Sequence, residues 1–145
     1  MHSQILAPVV ALVAWTLVMQ MWMYATRIPA LRRKGIDLKR MRGGQGRQLD
    51  GVIEDQVQWK AHNYNHLLEQ PTLFYAIAIV LALQGGGDVW INVALAWAYV
   101  GFRVLHSLIQ ATANVVRWRF LAFSLASLCL LGLTVHAAAR ALHGH

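Results

Sequence analysis

The sequence predicts an all-α integral membrane protein, a bundle of four transmembrane helices. Three observations predict it. Of 145 residues, 57% are hydrophobic and only 13% charged, against about 25% charged in a soluble domain. The few charges leave four long apolar runs bare. The basic residues gather between runs, with eight of the thirteen Lys and Arg falling between Arg27 and Arg47. The charge deficit argues against a water-soluble globule and against disorder. The net charge of +7 raises nucleic acid as a partner, but a basic stripe beside uncharged runs is the mark of membrane topology, so no nucleic acid is expected. Three prolines and one cysteine exclude collagen-like, disulfide-stapled and cysteine-rich zinc proteins. Cys129 lies in an apolar run and reads as a small core residue.

The first helix is expected at about 4–26, because Ile5 to Thr26 carries no charge and exceeds the roughly 20 residues that cross the hydrocarbon. It has no basic start and no small-residue cleavage pattern, so it reads as a retained helix rather than a signal peptide. A basic connector at about 27–56 follows, loosened by Gly43, Gly44 and Gly46. The second helix is expected at about 57–83, polar at first and apolar after Pro71, with a kink at that proline. After the Gln84–Asp88 turn, a third helix runs at about 89–109 and a fourth at about 116–139. The chain reads as one membrane domain over 1–145. Trp59, Trp90 and Trp118 fall near span ends, where an aromatic belt places them.

The first connector holds eight basic residues and the third is flanked by Arg117 and Arg119, while the second holds none. The positive-inside rule therefore puts the first and third connectors in the cytoplasm and both termini on the other side.

Ionisable residues inside spans are costly and point to function. Glu69 lies 14 residues before Leu83, and Arg103 lies 14 after Val89. At 1.5 Å per residue both sit roughly 21 Å from the outer boundary, so the two are expected at one level. A neutralising ion pair is the plain reading. More polar groups share the level, however. His62, His66 and Glu69 follow i, i+4, i+7 spacing on one helix face, Asn63 and Asn65 are close, and His106 lies one turn from Arg103. Arg117 and Arg119 enter at the start of the fourth helix. Such a cleft suits a small carboxylate-bearing or zwitterionic molecule. His62, His66 and Glu69 could geometrically hold a metal, but cationic surroundings disfavour it and no metal is expected.

At these residues the sequence resembles the MAPEG family, membrane-associated proteins of eicosanoid and glutathione metabolism, and in particular a bacterial branch. The stretches that carry it are Asn63 to Tyr75, Leu95 to Ser107 and Asn114 to Phe120. The resemblance implies a homotrimer of four-helix bundles in the inner membrane, with glutathione as cosubstrate between subunits. It implies a transferase or peroxidase acting on lipophilic electrophiles. Glu69 matches an acidic residue that holds glutathione, and Arg103 matches a third-helix arginine. With them, Asn65, His66 and His106 are expected to bind the cosubstrate. Arg119 or Arg117 matches an arginine that stabilises the thiolate. Three positions depart from the pattern: His66 stands where asparagine is common, Lys60 is the nearest base to a missing second-helix arginine, and Gln110 replaces a tyrosine. The alternative reading is a non-catalytic membrane protein that binds a lipid or anionic metabolite, or scaffolds a complex.

Overall fold

A computed structural model describes residues 3–37 and 39–143. Among these residues the regular structure is wholly helical. Helix α1 spans Leu6–Arg33, α2 Asp55–Leu67, α3 Pro71–Leu83, α4 Trp90–Ala111 and α5 Val116–Leu142. With α2 and α3 taken together as Asp55–Leu83, four segments are long and apolar enough to cross a membrane, so this is a four-helix membrane bundle.

α1 runs seven residues beyond the expected Thr26. Charge ends an apolar run, but it does not end a helix. Arg32 and Arg33 sit in the last turn, where cations favour the helix dipole. Pro29 lies inside the helix and is exposed. The stop is chemical: Gly35 takes φ +70°, its N–H bonds the Arg32 carbonyl, and the Ile36 N–H bonds the Leu31 carbonyl. Leu31 and Ile36 then pack with Ala30, Leu49, Ile53 and Val57 in a small cluster. The connector is thus shorter than expected, and it is docked. The Arg27 guanidinium and the Gln58 amide both donate to the Gly46 carbonyl, at 3.0 and 3.2 Å. Gln58 also donates to Asp50 Oδ1 at 2.6 Å, and His62 Nε2 lies 2.9 Å from the same oxygen.

The expected second helix is two helices. The α-helical ladder is interrupted at Leu68–Gln70, where the N–H groups of Leu68, Thr72 and Leu73 reach back only three residues. Pro71 supplies the cause. It has no N–H to continue the ladder, and it occupies the first turn of α3, where that lack costs nothing.

The core is laid down along α1 at Ile5, Pro8, Leu12, Thr16, Met19 and Met23, the three-and-four spacing of one helix stripe. Across from it Phe74 of α3 stacks on Tyr99 of α4, centroids 4.4 Å apart. α4 and α5 form the most extensive helix pair. They are joined by a short turn in which Asn114 takes φ +50°, a conformation asparagine tolerates. Thirty large apolar residues are exposed among the described residues, which is what a surface facing lipid requires.

Candidate functional site

The polar residues of α2, α4 and α5 meet toward the end of the bundle that carries the basic connector. Arg103 is the centre. Its side chain is fully buried. Nη2 donates to the His66 carbonyl and to Nδ1 of the His66 ring, 3.1 Å each. A guanidinium has only donors, so Nδ1 accepts and the ring proton sits on Nε2. The guanidinium carbon lies 5.5 Å from the Phe123 ring. Nε and Nη1 have no partner among the described residues.

Around this centre the His66 and His106 rings stack at 4.9 Å. His106 Nδ1 lies 2.8 Å from the Arg119 carbonyl oxygen, and Nε2 lies 3.0 Å from Gln110 Oε1. Arg119 turns inward and donates from Nη1 to Asn114 Oδ1 at 2.7 Å. Arg117 turns outward and lies over Trp118, 5.4 Å from its ring centre. Of the two arginines left open by the sequence, Arg119 is the one beside the cluster.

Two expectations are corrected. Arg103 and Glu69 form no ion pair: Glu69 is exposed, with no charged partner among the described residues. Glu69 does not continue the face that His62 and His66 share on α2. His62 turns to Asp50 of the connector, His66 turns to Arg103, and Glu69 sits past the end of α2. The reason is the interruption at Leu68–Gln70, since a turn with three-residue bonds advances about 120° per residue instead of about 100°. Asn65 is exposed too, so it and Glu69 stand outside the buried cluster. Lys60 belongs elsewhere, with its ammonium over the Trp22 ring at 5.3 Å. No group of three His, Cys, Asp or Glu able to hold a metal occurs among the described residues.

Sequence reasoning missed the supporting layer. The Ser107 hydroxyl accepts from Asn63 Nδ2 at 2.6 Å and from Trp15 Nε1 at 3.0 Å, tying α1, α2 and α4 together. Gln70 donates to Ser127 at 2.9 Å, and Tyr99 donates to Gln70 at 3.4 Å. One signal was available. Ser107, Gln110 and Arg103 fall within two turns of an otherwise apolar helix, spaced to share a side. Outside the spans, Asp50 titrates below the ordinary carboxylate range, chiefly because Gln58 donates to it and then because His62 sits beside it.

The model of the MAPEG family matches residues 5–139, nearly the whole chain. No curated protein and no solved structure matches.

Proposed function

The chain belongs to the MAPEG family, and on that premise we propose that it is a glutathione-dependent transferase or peroxidase of the bacterial inner membrane. It works as a homotrimer on lipophilic electrophiles, with both termini on the non-cytoplasmic side. The observation that carries this reading is Arg103. It is a fully buried cation with two orphaned donors, an arrangement suited to a carboxylate. Glutathione brings two carboxylates, one ammonium and a thiol. A carboxylate satisfies Nε and Nη1 of Arg103. The ammonium suits Glu69, which is exposed, as is Asn65. That an exposed carboxylate stands within a span supports a neighbouring subunit at that face.

The chain's own part in the chemistry is electrostatic. The thiolate is the nucleophile. Arg119, held by Asn114, stabilises that thiolate and favours loss of the thiol proton. His66 and His106 stack against each other beside Arg103. The electrophile arrives laterally through the bilayer. A sulfur–carbon bond forms as the leaving group departs, and the protein supplies proximity and charge.

Gln110 favours a second reading, a binding protein without catalysis. Its Oε1 lies 3.0 Å from His106 Nε2, and an amide N–H is a weaker donor to a thiolate than a tyrosine hydroxyl. Calorimetry of glutathione binding to the detergent-purified protein tests the first reading, with Arg103→Gln and Glu69→Gln as controls. Saturable heat lost in both variants supports it. No heat at millimolar glutathione removes it. Conjugation that rises with pH through the thiol range separates the enzyme from the binder.

A further inference from the structure

A second feature lies outside this cluster. Where α4 ends and α5 begins, a groove of about 390 Å³ opens along the seam of the two helices. Leu105 and Ile109 form one wall, Leu121 and Leu125 the other, with Val115 and Trp118 at the connector end. The walls are wholly apolar. Water has no partner in such a groove, so its occupant is hydrocarbon.

The mouth of the groove is different. Trp118 lines it and is half exposed, and the Arg117 guanidinium lies over the indole. Arg117 is exposed, and among the described residues no carboxylate pairs with it. Asp37, Asp50 and Glu54, near the same end, are already engaged by Arg40, His62 and Arg33. Eleven of the thirteen Lys and Arg lie at this end of the bundle. The groove therefore runs from an apolar trough within the span to an unpaired guanidinium at its edge, which is the polarity of an anionic lipid.

We propose that this groove is a binding site for an acidic phospholipid, with one acyl chain between α4 and α5 and the phosphate on Arg117. The phosphate takes the guanidinium as a two-pronged donor, and the chain covers Leu105, Ile109, Leu121 and Leu125. The site is independent of the Arg103 cluster, because His106 and Gln110 face the buried side of α4 whereas the groove lies on its outer side.

Bilayer nanodiscs of phosphatidylcholine test it. A small fraction of chain-brominated phosphatidylglycerol is compared with the same fraction of chain-brominated phosphatidylcholine. Quenching at Trp118 is read as the difference between the wild type and Trp118→Phe. The expected result is an about fivefold preference for the acidic lipid, the size of one basic residue at an anionic surface. Arg117→Gln abolishes that preference and Arg33→Gln, at the same end, preserves it. Native mass spectrometry supplies the second readout: a phosphatidylglycerol adduct that Leu121→Trp removes by filling the groove. Equal quenching by both lipids overturns the proposal, because the groove then only faces bulk bilayer. So does an equal loss in Arg33→Gln, which makes the attraction diffuse, or a groove occupied by another lipophile so that neither lipid quenches.

Discussion

Replacing Arg103 by methionine should stabilise the ligand-free protein and abolish ligand binding. The side chain is fully buried, and methionine keeps its unbranched stem while ending short of the guanidinium carbon. Two effects on hydrogen bonding nearly cancel. In the wild type two donor atoms, Nε and Nη1, lack a partner among the described residues, each atom costing about 1–3 kcal/mol. The variant loses two bonds from Nη2 to His66, and bonds to a charged group contribute about 1.5–3 kcal/mol each. The sign is set by the third effect. A buried cation without a carboxylate suffers several kcal/mol of desolvation, and the apolar replacement removes it. Thermal unfolding in detergent, with and without glutathione, checks both halves. The variant should unfold at higher temperature than the wild type without ligand, and glutathione should raise only the wild type. The binding loss should be about 2–5 kcal/mol, the cost of removing one partner of a buried charged pair. A ligand-free variant less stable than the wild type would refute the reasoning, since Nε and Nη1 would then be satisfied by something other than a ligand.

Three further outcomes follow from other parts of the structure. Arg119→Ala should lower conjugation about 100- to 1000-fold, as loss of one preorganised charge-stabilising donor does, and by more than Arg117→Ala. The reverse order in steady-state rates would exchange their roles. Asp50 has a depressed folded pKa, so its contribution to holding the connector is complete above the ordinary 3.8 and fades as pH falls through the lower folded value. Hydrogen exchange of residues 43–53 should accelerate only in that acid window, and Asp50→Asn should be fast at every pH. Phe74→Ala should cost about 3–5 kcal/mol, because Phe74 is fully buried on Tyr99. A shift under about 1 kcal/mol in denaturant unfolding would mean the stack is dispensable.

The four spans were legible because charge is expensive in hydrocarbon, and its gaps mark helices without any need for packing detail. Helix ends were less legible. The Arg27 to Arg33 extension of α1 looks polar in sequence, yet Ala30 and Leu31 bury against Ile53, a contact made across more than twenty residues. Counting at 1.5 Å per residue set Arg103 level with Glu69, whereas Arg103 meets His66, three residues earlier, and Tyr99 meets Gln70. It failed at Glu69 because counting assumes one unbroken helix. Pro71 announced a kink, but the direction that a three-residue tightening gives to Glu69 depends on backbone hydrogen bonds that sequence does not display. Ser107 and Gln70 were passed over for a related reason: a lone hydroxyl or amide acquires meaning only from what stands opposite.

The separation of Arg103 and Glu69 carries its own chemical consequence. A bundle that only had to hide two charges would join them. Here the cation is enclosed and the anion stands outside, each without its opposite among the described residues. A simple anion relieves only Arg103 and a simple amine relieves only Glu69. On the proposed function a zwitterion would relieve both, and the pair is expected to select molecules with carboxylate and ammonium at separate ends. N-acetylation of glutathione neutralises the ammonium and keeps both carboxylates. It should weaken binding by about 1.5–3 kcal/mol, the contribution of a bond to a charged group, or roughly 10- to 150-fold. In Glu69→Gln, glutathione and its N-acetyl form should bind alike. Competition calorimetry reads both comparisons. If the wild type does not distinguish the two ligands, Glu69 is not the ammonium partner, and its exposure within the span serves subunit contact instead.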